Sequence, residues 1–372
     1  MSRRSGVLAL AVLTFLVVIF ASYARTVRSE VDDASGYLLT LMELRRSALE
    51  DYLETIRSEV VLWSHREALR GAIVELEQGW DQLPGDRTET LQGLYIDENP
   101  FPEGERHRSL TAGDGSLYSR VHEAVHPRAL RFLENHGYYD AFLFDPEGNL
   151  IYTAHKERDF ATNLDTGTWR DTGLGWAFRA ARDAESEDFV VFTDFEPYEP
   201  SDGEPASFVA SPVRAEDGSL VGVLAFQVPV NRIDEIMQFT GGMGETGETY
   251  IVGEDLLMRS DSRFADSSTI LRTKVDTETA RRGLAGETGV DIVDDYRGVP
   301  VLSAYGPLEF EGLRWAVMAE IDEQEVRRRA REPRRLLATA FLGLAAIGAI
   351  AALFLTYLMG RAEKPEPWRK EA

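Results

Sequence analysis

Two unbroken apolar runs, Gly6 to Tyr23 and Leu336 to Met359, bracket nearly the whole chain. Each is long enough to cross a bilayer core as a helix, which takes about 20 residues at 1.5 Å each. The stretch between them is rich in charge and contains no comparable run, so it must fold in water. The layout predicts a soluble domain strung between two membrane anchors. The tail, residues 360–372, is too short for an output domain.

Charge orients the spans only in part. Arg3 and Arg4 before the first run, and Arg361, Lys364, Arg369 and Lys370 after the second, fit cytoplasmic ends. Arg25, Arg28 and the arginines from Arg327 to Arg335 sit on the other side. Long loops translocate largely regardless of charge, so the large domain is placed outside. Ser22-Tyr23-Ala24 also fits a leader cleavage site, but an uncleaved anchor suits the length of the run better.

Composition narrows the chemistry. Lys and Arg total 40 against 63 Asp and Glu, a formal charge of −23, and Lys156, Lys274, Lys364 and Lys370 are the only lysines. Such a surface repels nucleic acid and anionic lipid. Cysteine is absent, which excludes a disulfide framework, thiol catalysis and the soft metal ligands. Hydrophobic residues make up 44% and aromatics 10%, ample for a packed core.

Helical periodicity comes first along the chain. Val31, Ala34, Leu38 and Leu41 form one stripe; Leu49, Leu53, Ile56, Val60 and Trp63 form another, both at steps of three and four. They predict a long helix over 26–65, its first stripe a candidate homodimer contact and its second packed on its own domain. Glu67 to Trp80 reads as a second helix. Residues 83–116 read as irregular, and a further helix is expected to start at Pro127 and run to His136.

Period two then takes over. Strand, turn, strand is expected over 139–152, with Pro146-Glu147-Gly148-Asn149 at the bend. Strands follow at 189–195, 206–214 and 220–229, the last two joined at Asp217-Gly218, then a helix capped by Asn231. The order recurs: strand, turn, strand over 248–260, then strands at 289–296, 299–307 and 313–321. Gly218 to Ala225 lies over Gly312 to Ala319, with Pro212 or Pro307 upstream of each glycine. This internal repeat predicts two tandem antiparallel-sheet modules, an α+β fold.

The segments Tyr138 to Asp145 (YYDAFLFD), Asp159 to Leu164 (DFATNL) and Ala210-Ser211-Pro212-Val213 with Asp217-Gly218 carry a family resemblance. So do Gly222-Val223-Leu224 and Asp295 to Val301 (DYRGVPV). The chain resembles the double Cache sensor family, the PAS-like extracytoplasmic regions of bacterial chemoreceptors, sensor kinases and cyclases. The resemblance implies a two-pass inner-membrane protein with a periplasmic sensor, divided as 1–25 (first span), 26–65 (long helix), 66–240 (distal module), 241–330 (proximal module), 336–359 (second span) and 360–372 (tail). It further implies a small-molecule site between the distal sheet and a cap at 159–179. By position, Tyr152, Asp194, Tyr198, Phe208 and Gln227 belong to the sheet side, and Trp169 and Arg170 to the cap. Arg170 would hold a carboxylate through its planar fork, while Asp194 or Gln227 would receive an amine or hydroxyl. The amino-acid-binding branch differs at Gly167, Arg170 and Gln227. Equally, Trp169 would serve as plain core and Arg170 as a partner for Asp171.

Two motifs point elsewhere. His122-Glu123-Ala124-Val125-His126 matches the zinc-hydrolase pattern HExxH, but Pro127 biases His126 away from helix, and no third ligand follows at a familiar spacing. Gly242 to Gly247 matches GxGxxG, but with a helix before and a strand after, the reverse of a dinucleotide site. The expectation is therefore a non-enzymatic, cofactor-free signalling sensor of a small molecule, read out by a separate cytoplasmic or membrane partner. The alternatives are a zinc hydrolase and a non-signalling envelope binding or scaffold protein.

Overall fold

The computed structural model describes the backbone of residues 3–328 and the side chains of residues 32–328. Tyr37–Ile321 forms one compact unit; the flanking segments form a second, of which the described backbone, 3–36 and 323–328, is helical apart from strand-ending Asp322. Among the described residues no helix is long and apolar enough to cross a membrane. The side chains of the expected span at 6–23, and all of the span at 336–359, lie outside the described residues.

Helix α1, Arg3–Ser64, contains no proline and follows the predicted stripes. Leu49, Leu53, Ile56 and Val60 are buried, as the second stripe requires. Of the first stripe, Leu38 and Leu41 are also buried and not free to meet a second copy, Ala34 is partly exposed, and the Val31 side chain lies outside the described residues. Among the described residues, the exposed large apolar side chains of α1 are Tyr37, Leu44 and Leu62.

Helix α2, Glu67–Asp81, packs across α4, Leu117–His136. Their crossing is set by Gly79, where an added Cβ would stand 2.7 Å from the Tyr118 Cα. The stretch read as irregular contains helix α3, Arg87–Gln92, whose start is capped by Asp86 accepting from the Glu89 N–H. A single π turn, Gly93–Asp97, and a 3-10 turn, Arg106–Arg108, follow. Helix α4 starts ten residues before the expected Pro127, at a Ser116 cap that accepts from the Ser119 N–H, and passes through the proline. Local bias loses here because both His126 ring nitrogens are tied to groups elsewhere in the fold.

The first sheet is built from β1 (Ala141–Phe144), β2 (Leu150–Thr153) and β3 (Val191–Phe192), then, beyond a separate small hairpin of β4 (Glu196–Tyr198) and β5 (Glu204–Ala206), β6 (Phe208–Arg214) and β7 (Leu220–Gln227). Its order is β2-β1-β7-β6-β3, antiparallel throughout. Helix α5, Gly173–Asp183, covers one face; α6, Val230–Met237, follows β7 with Pro229, not Asn231, at its cap position. The second sheet runs β8-β11-β10-β9 from β8 (Glu248–Gly253), β9 (Gly289–Asp294), β10 (Pro300–Phe310) and β11 (Leu313–Asp322), with α7 (Glu278–Leu284) against it. The expected strand at 256–260 is reduced to a Val252–Met258 bridge, because Met258 exchanges backbone hydrogen bonds with Thr273 and Leu271 instead.

Pairing corrects the internal overlay by one residue. Phe144 faces Val223 in the first sheet, and Val252 faces Ala316 in the second. Each pair contributes to the core under its own helix, α5 or α7. Core-facing Val223 therefore matches core-facing Ala316 or Met318 in parity, not Val317 as the matched glycines suggest. The first hairpin absorbs the difference in a longer turn and a bulge at Val213/Arg214.

Candidate functional site

Alternation along the strands divides the first sheet into two faces. Phe142, Phe144, Phe208, Ala210, Val223 and Ala225 point toward α5 and join Leu164, Leu174, Phe178 and Tyr198 in one core, with Trp169 packed on its edge. The Phe208 ring meets Tyr198 at 5.0 Å and Phe142 at 5.8 Å, both edge-to-face. Trp169, Tyr198 and Phe208 are thus brought together, and Gln227, opposite Phe208 in register, ends the same face. The other expected site residues lie elsewhere. Tyr152 pairs with Leu143 and so occupies the opposite face, beside α4. Asp194 accepts two hydrogen bonds from Arg259 and one from Trp315 Nε1, which ties the first sheet to the second. Arg170 does not enter a pocket: it is exposed and ion-paired with its neighbour Asp171 at 3.3 Å.

The polar chemistry gathers at the open end of β1 and β2, on residues to which sequence reasoning gave no role. Asp140 is buried and fully used: Oδ1 accepts from the N–H of Ala141 and Ala154, both at 2.7 Å, and Oδ2 from His155. Asp159 is also buried. Its Oδ2 accepts the Tyr198 hydroxyl at 2.6 Å, and its Oδ1 has no partner. Between these carboxylates lies Lys156, 1% exposed, with φ 60 in the left-handed region that a side chain rarely adopts. Its ammonium donates to the Thr153 carbonyl and stands 4.6 Å from the Tyr152 ring centroid, 4.9 Å from Phe160 and 5.8 Å from Tyr95. An ammonium among aromatic faces is a favourable cation–π arrangement, stronger once water is excluded.

Burial sets the protonation of this chamber. It pushes the Asp159 carboxyl up to about 8 and raises Asp140, while it lowers the Lys156 ammonium. With both carboxyls ionised, two negative charges face one positive charge. The chamber holds a surplus acceptor. Next to it, the half-exposed Glu157 accepts from Tyr139 and Ser201 hydroxyls at 2.9 Å and 2.6 Å. Tyr139, Ser201 and Gln227 in turn line a cleft of about 490 Å3 whose charged lining is acidic: Glu204, Asp234 and Asp261. Gln227 Oε1 is buried there without a partner.

The HExxH histidines serve the framework of this chamber. Their rings stack at 4.5 Å; His126 bonds the Tyr152 hydroxyl and the His107 carbonyl, each at 2.7 Å, and His122 Nδ1 bonds the Leu110 carbonyl. Burial lowers both imidazoles, His126 to about 3, so they are neutral. Glu123 faces solvent, away from the pair. Among the described residues, the side chains close enough to share an ion include no histidine. Gly242 to Gly247 is a turn segment between α6 and β8, as its order in the sequence implies.

A signal for the chamber was present in the sequence. Lys156 is one of two lysines between the apolar runs, and it sits in Tyr152-Thr153-Ala154-His155-Lys156-Glu157-Arg158-Asp159-Phe160, between acids and aromatics. A lone lysine in such company directly after a strand marks a buried charge more sharply than the exposed Arg170 does.

A family model described as Cache domain matches residues 115–330, more than half of the chain. The chain belongs to the Cache domain family, a family of ligand-sensing domains. Among solved structures, it is similar to the ligand-binding domain of the Pseudomonas fluorescens chemoreceptor CtaA in complex with L-isoleucine (13% identity, 82% of this chain and 98% of that one, TM-score 0.42). It is also similar to that of the Pseudomonas aeruginosa PAO1 amino acid chemoreceptor PctB with L-Gln (17% identity, 82% and 98%, TM-score 0.42). A third is a domain of a sensory box/GGDEF family protein from Vibrio parahaemolyticus (11% identity, 80% and 99%, TM-score 0.46). No curated protein matches.

Proposed function

We propose that the chain is the sensing region of a membrane-anchored signalling protein, and that the Asp140–Lys156–Asp159 chamber receives the ammonium group of a small amine. The apolar runs at 6–23 and 336–359 support anchoring, and the acidic, lysine-poor surface suits an extracytoplasmic domain between them. The two sheets, each with its own helix-covered face, support reading 66–240 and 241–330 as tandem PAS-like modules. The single observation that carries the ligand class is Asp159 Oδ1, a fully buried carboxylate oxygen without a partner beside an aromatic cage. An acceptor left in that state costs about 1–3 kcal/mol, which a ligand donor would recover.

In the absence of ligand, Lys156 fills the cage as a tethered ammonium, held inward by a strained backbone. An incoming amine, entering across Gln227 from the acidic cleft, takes the cage and frees the Lys156 loop. Displacement of that loop under the cap is the event that shifts the population between two packings. The carboxylate ligand expected from Arg170 has no counterpart charge in the chamber except Lys156, so the amine is the stronger reading.

A thermal-shift screen of the full-length chain tests this, with amines compared against des-amino isosteres of the same shape. A ligand at 100 times its dissociation constant adds about 2.7 kcal/mol of stability. Amines are expected to raise the melting temperature and their des-amino isosteres not to. The shift should vanish in Asp159→Asn and grow in Lys156→Met, which removes the competing ammonium. Equal shifts from amines and isosteres, or a weaker amine response in Lys156→Met, would contradict the proposal.

A further inference from the structure

The second sheet carries a buried acidic centre at the place where the first sheet has its candidate ligand site. Glu248 and Glu320 face each other at the start of β8 and near the end of β11, as Asp140 and Gln227 do at the start of β1 and the end of β7. Glu248 and Glu320 stand directly opposite each other on β8 and β11, and both are buried. Like charges in that position destabilise a sheet. Asp295, buried in the turn between β9 and β10, completes the group: one oxygen from each of the three carboxylates lies within 4.8 Å of the others.

Hydrogen bonds account for every carboxylate oxygen but one. Glu248 accepts from Tyr296 at 2.9 Å and Ser262 at 2.7 Å. Asp295 Oδ1 accepts from the N–H of Arg297 and Val299, and Oδ2 from Arg297 Nε at 2.6 Å. Glu320 Oε1 accepts from Ser303 at 2.7 Å. Glu320 Oε2 has no partner, and neither does the hydroxyl of fully buried Tyr250, two residues from Glu248 on the same face of β8. That hydroxyl faces Glu320 closely enough for charge and a loose hydrogen-bonding contact to act between them, but the two groups do not form a well-aligned hydrogen bond. With all three carboxylates ionised, the guanidinium of Arg297 offsets one charge and leaves two negative charges.

We infer that Glu248, Asp295 and Glu320, with the Tyr250 hydroxyl, form a site for a divalent cation of calcium size. Charge and donor type agree: two uncompensated negative charges call for one divalent ion, and oxygen-only donors select a hard one. The spacing admits an ion of that size, since calcium takes oxygens at about 2.3–2.6 Å, and magnesium, which gives up its water reluctantly, is the less suited to an all-protein cage. The entry lies through the surface turn Asp295–Gly298, whose Tyr296 and Arg297 are partly exposed. This site does not rest on the amine reading of the first sheet.

The test uses the full-length chain, stripped with a chelator and exchanged into metal-free buffer at pH 7.5. Calcium chloride is titrated while the melting temperature is followed, and terbium luminescence sensitised by tyrosine reports occupancy. The wild type is expected to show a saturable rise in melting temperature at one ion per chain, with calcium effective at lower concentration than magnesium. Glu320→Gln, a neutral isostere, should fold and lose the calcium response, while Glu254→Gln at the exposed surface should keep it. A calcium response of wild-type size in Glu320→Gln would overturn the inference, because the ion would then be on the acidic surface. No calcium response in the wild type would also overturn it. So would stabilisation that follows acidification alone, since protons would then neutralise the cluster.

Discussion

At single residues, a buried carboxyl can lower the stability of the fold, and Asp159 is the clearest case. Burial raises its carboxyl from the ordinary 3.8 to about 8, so between those values the folded state holds a proton that the unfolded state has lost. Its contribution is full below about pH 4 and disappears as pH rises to about 8. Asp159→Asn keeps the acceptor for Tyr198 and removes the titration. The variant is expected to melt higher than the wild type at pH 8, and their difference should shrink toward pH 4. Melting curves at several pH values check this; a variant that melts lower at pH 8 would contradict it. A residue that costs stability fits a binding role.

Elements are positioned by small residues at close approaches, and here the sequence was legible in uneven measure. The long helix and both hairpins follow from periodicity and turn residues, and the structure has them at Arg3–Ser64, Ala141–Thr153 and Phe208–Gln227. The start of α4 was not legible, because His126 is fixed by partners 19 and 26 residues away in sequence, which override the bias that Pro127 imposes. The seven site residues expected from the resemblance separate for a related reason. Linear position cannot tell which face a strand residue takes when a bulge shifts register by one, and Tyr152 falls on the far side. Gly79 offers a test at this scale. Its missing side chain admits the Tyr118 backbone, so Gly79→Ala should force α2 from α4 and cost about 1–3 kcal/mol. Chemical denaturation measures it, and an unchanged midpoint would show that the helices can slide apart freely.

At the scale of the whole molecule, the two sheets of the Tyr37–Ile321 unit are joined by a compact polar lock with aromatic flanks. Arg259, 4% exposed, reaches Asp194 through two hydrogen bonds of 2.9 and 2.8 Å, and Trp315 donates to the same carboxylate. Phe192 meets Phe310 edge-on beside it, and Phe195 stacks on Trp315. Asp194, expected to face a ligand, instead couples one sheet to the other. Asp194→Ala leaves the guanidinium with Asp255 and the Leu257 carbonyl and the indole unpaired, a loss of about 1–3 kcal/mol. Unfolding of that variant is expected to broaden or split as the sheets melt separately, which calorimetry would reveal. A single sharp transition at the wild-type temperature would mean the lock carries no coupling.

An ammonium ion received by the buried Asp159 carboxyl meets a group that holds a proton in the folded state. Calorimetric titration of an amine from the screen, at pH 6, 7, 8 and 9, tests this binding most directly. An ammonium binds the ionised carboxyl and must displace the proton held up to about pH 8. The wild-type affinity should therefore rise by up to about tenfold per pH unit below 8 and level off above it, while Asp159→Asn binds weakly at every pH. Affinity independent of pH in the wild type, or equal affinity in Asp159→Asn, would contradict the account.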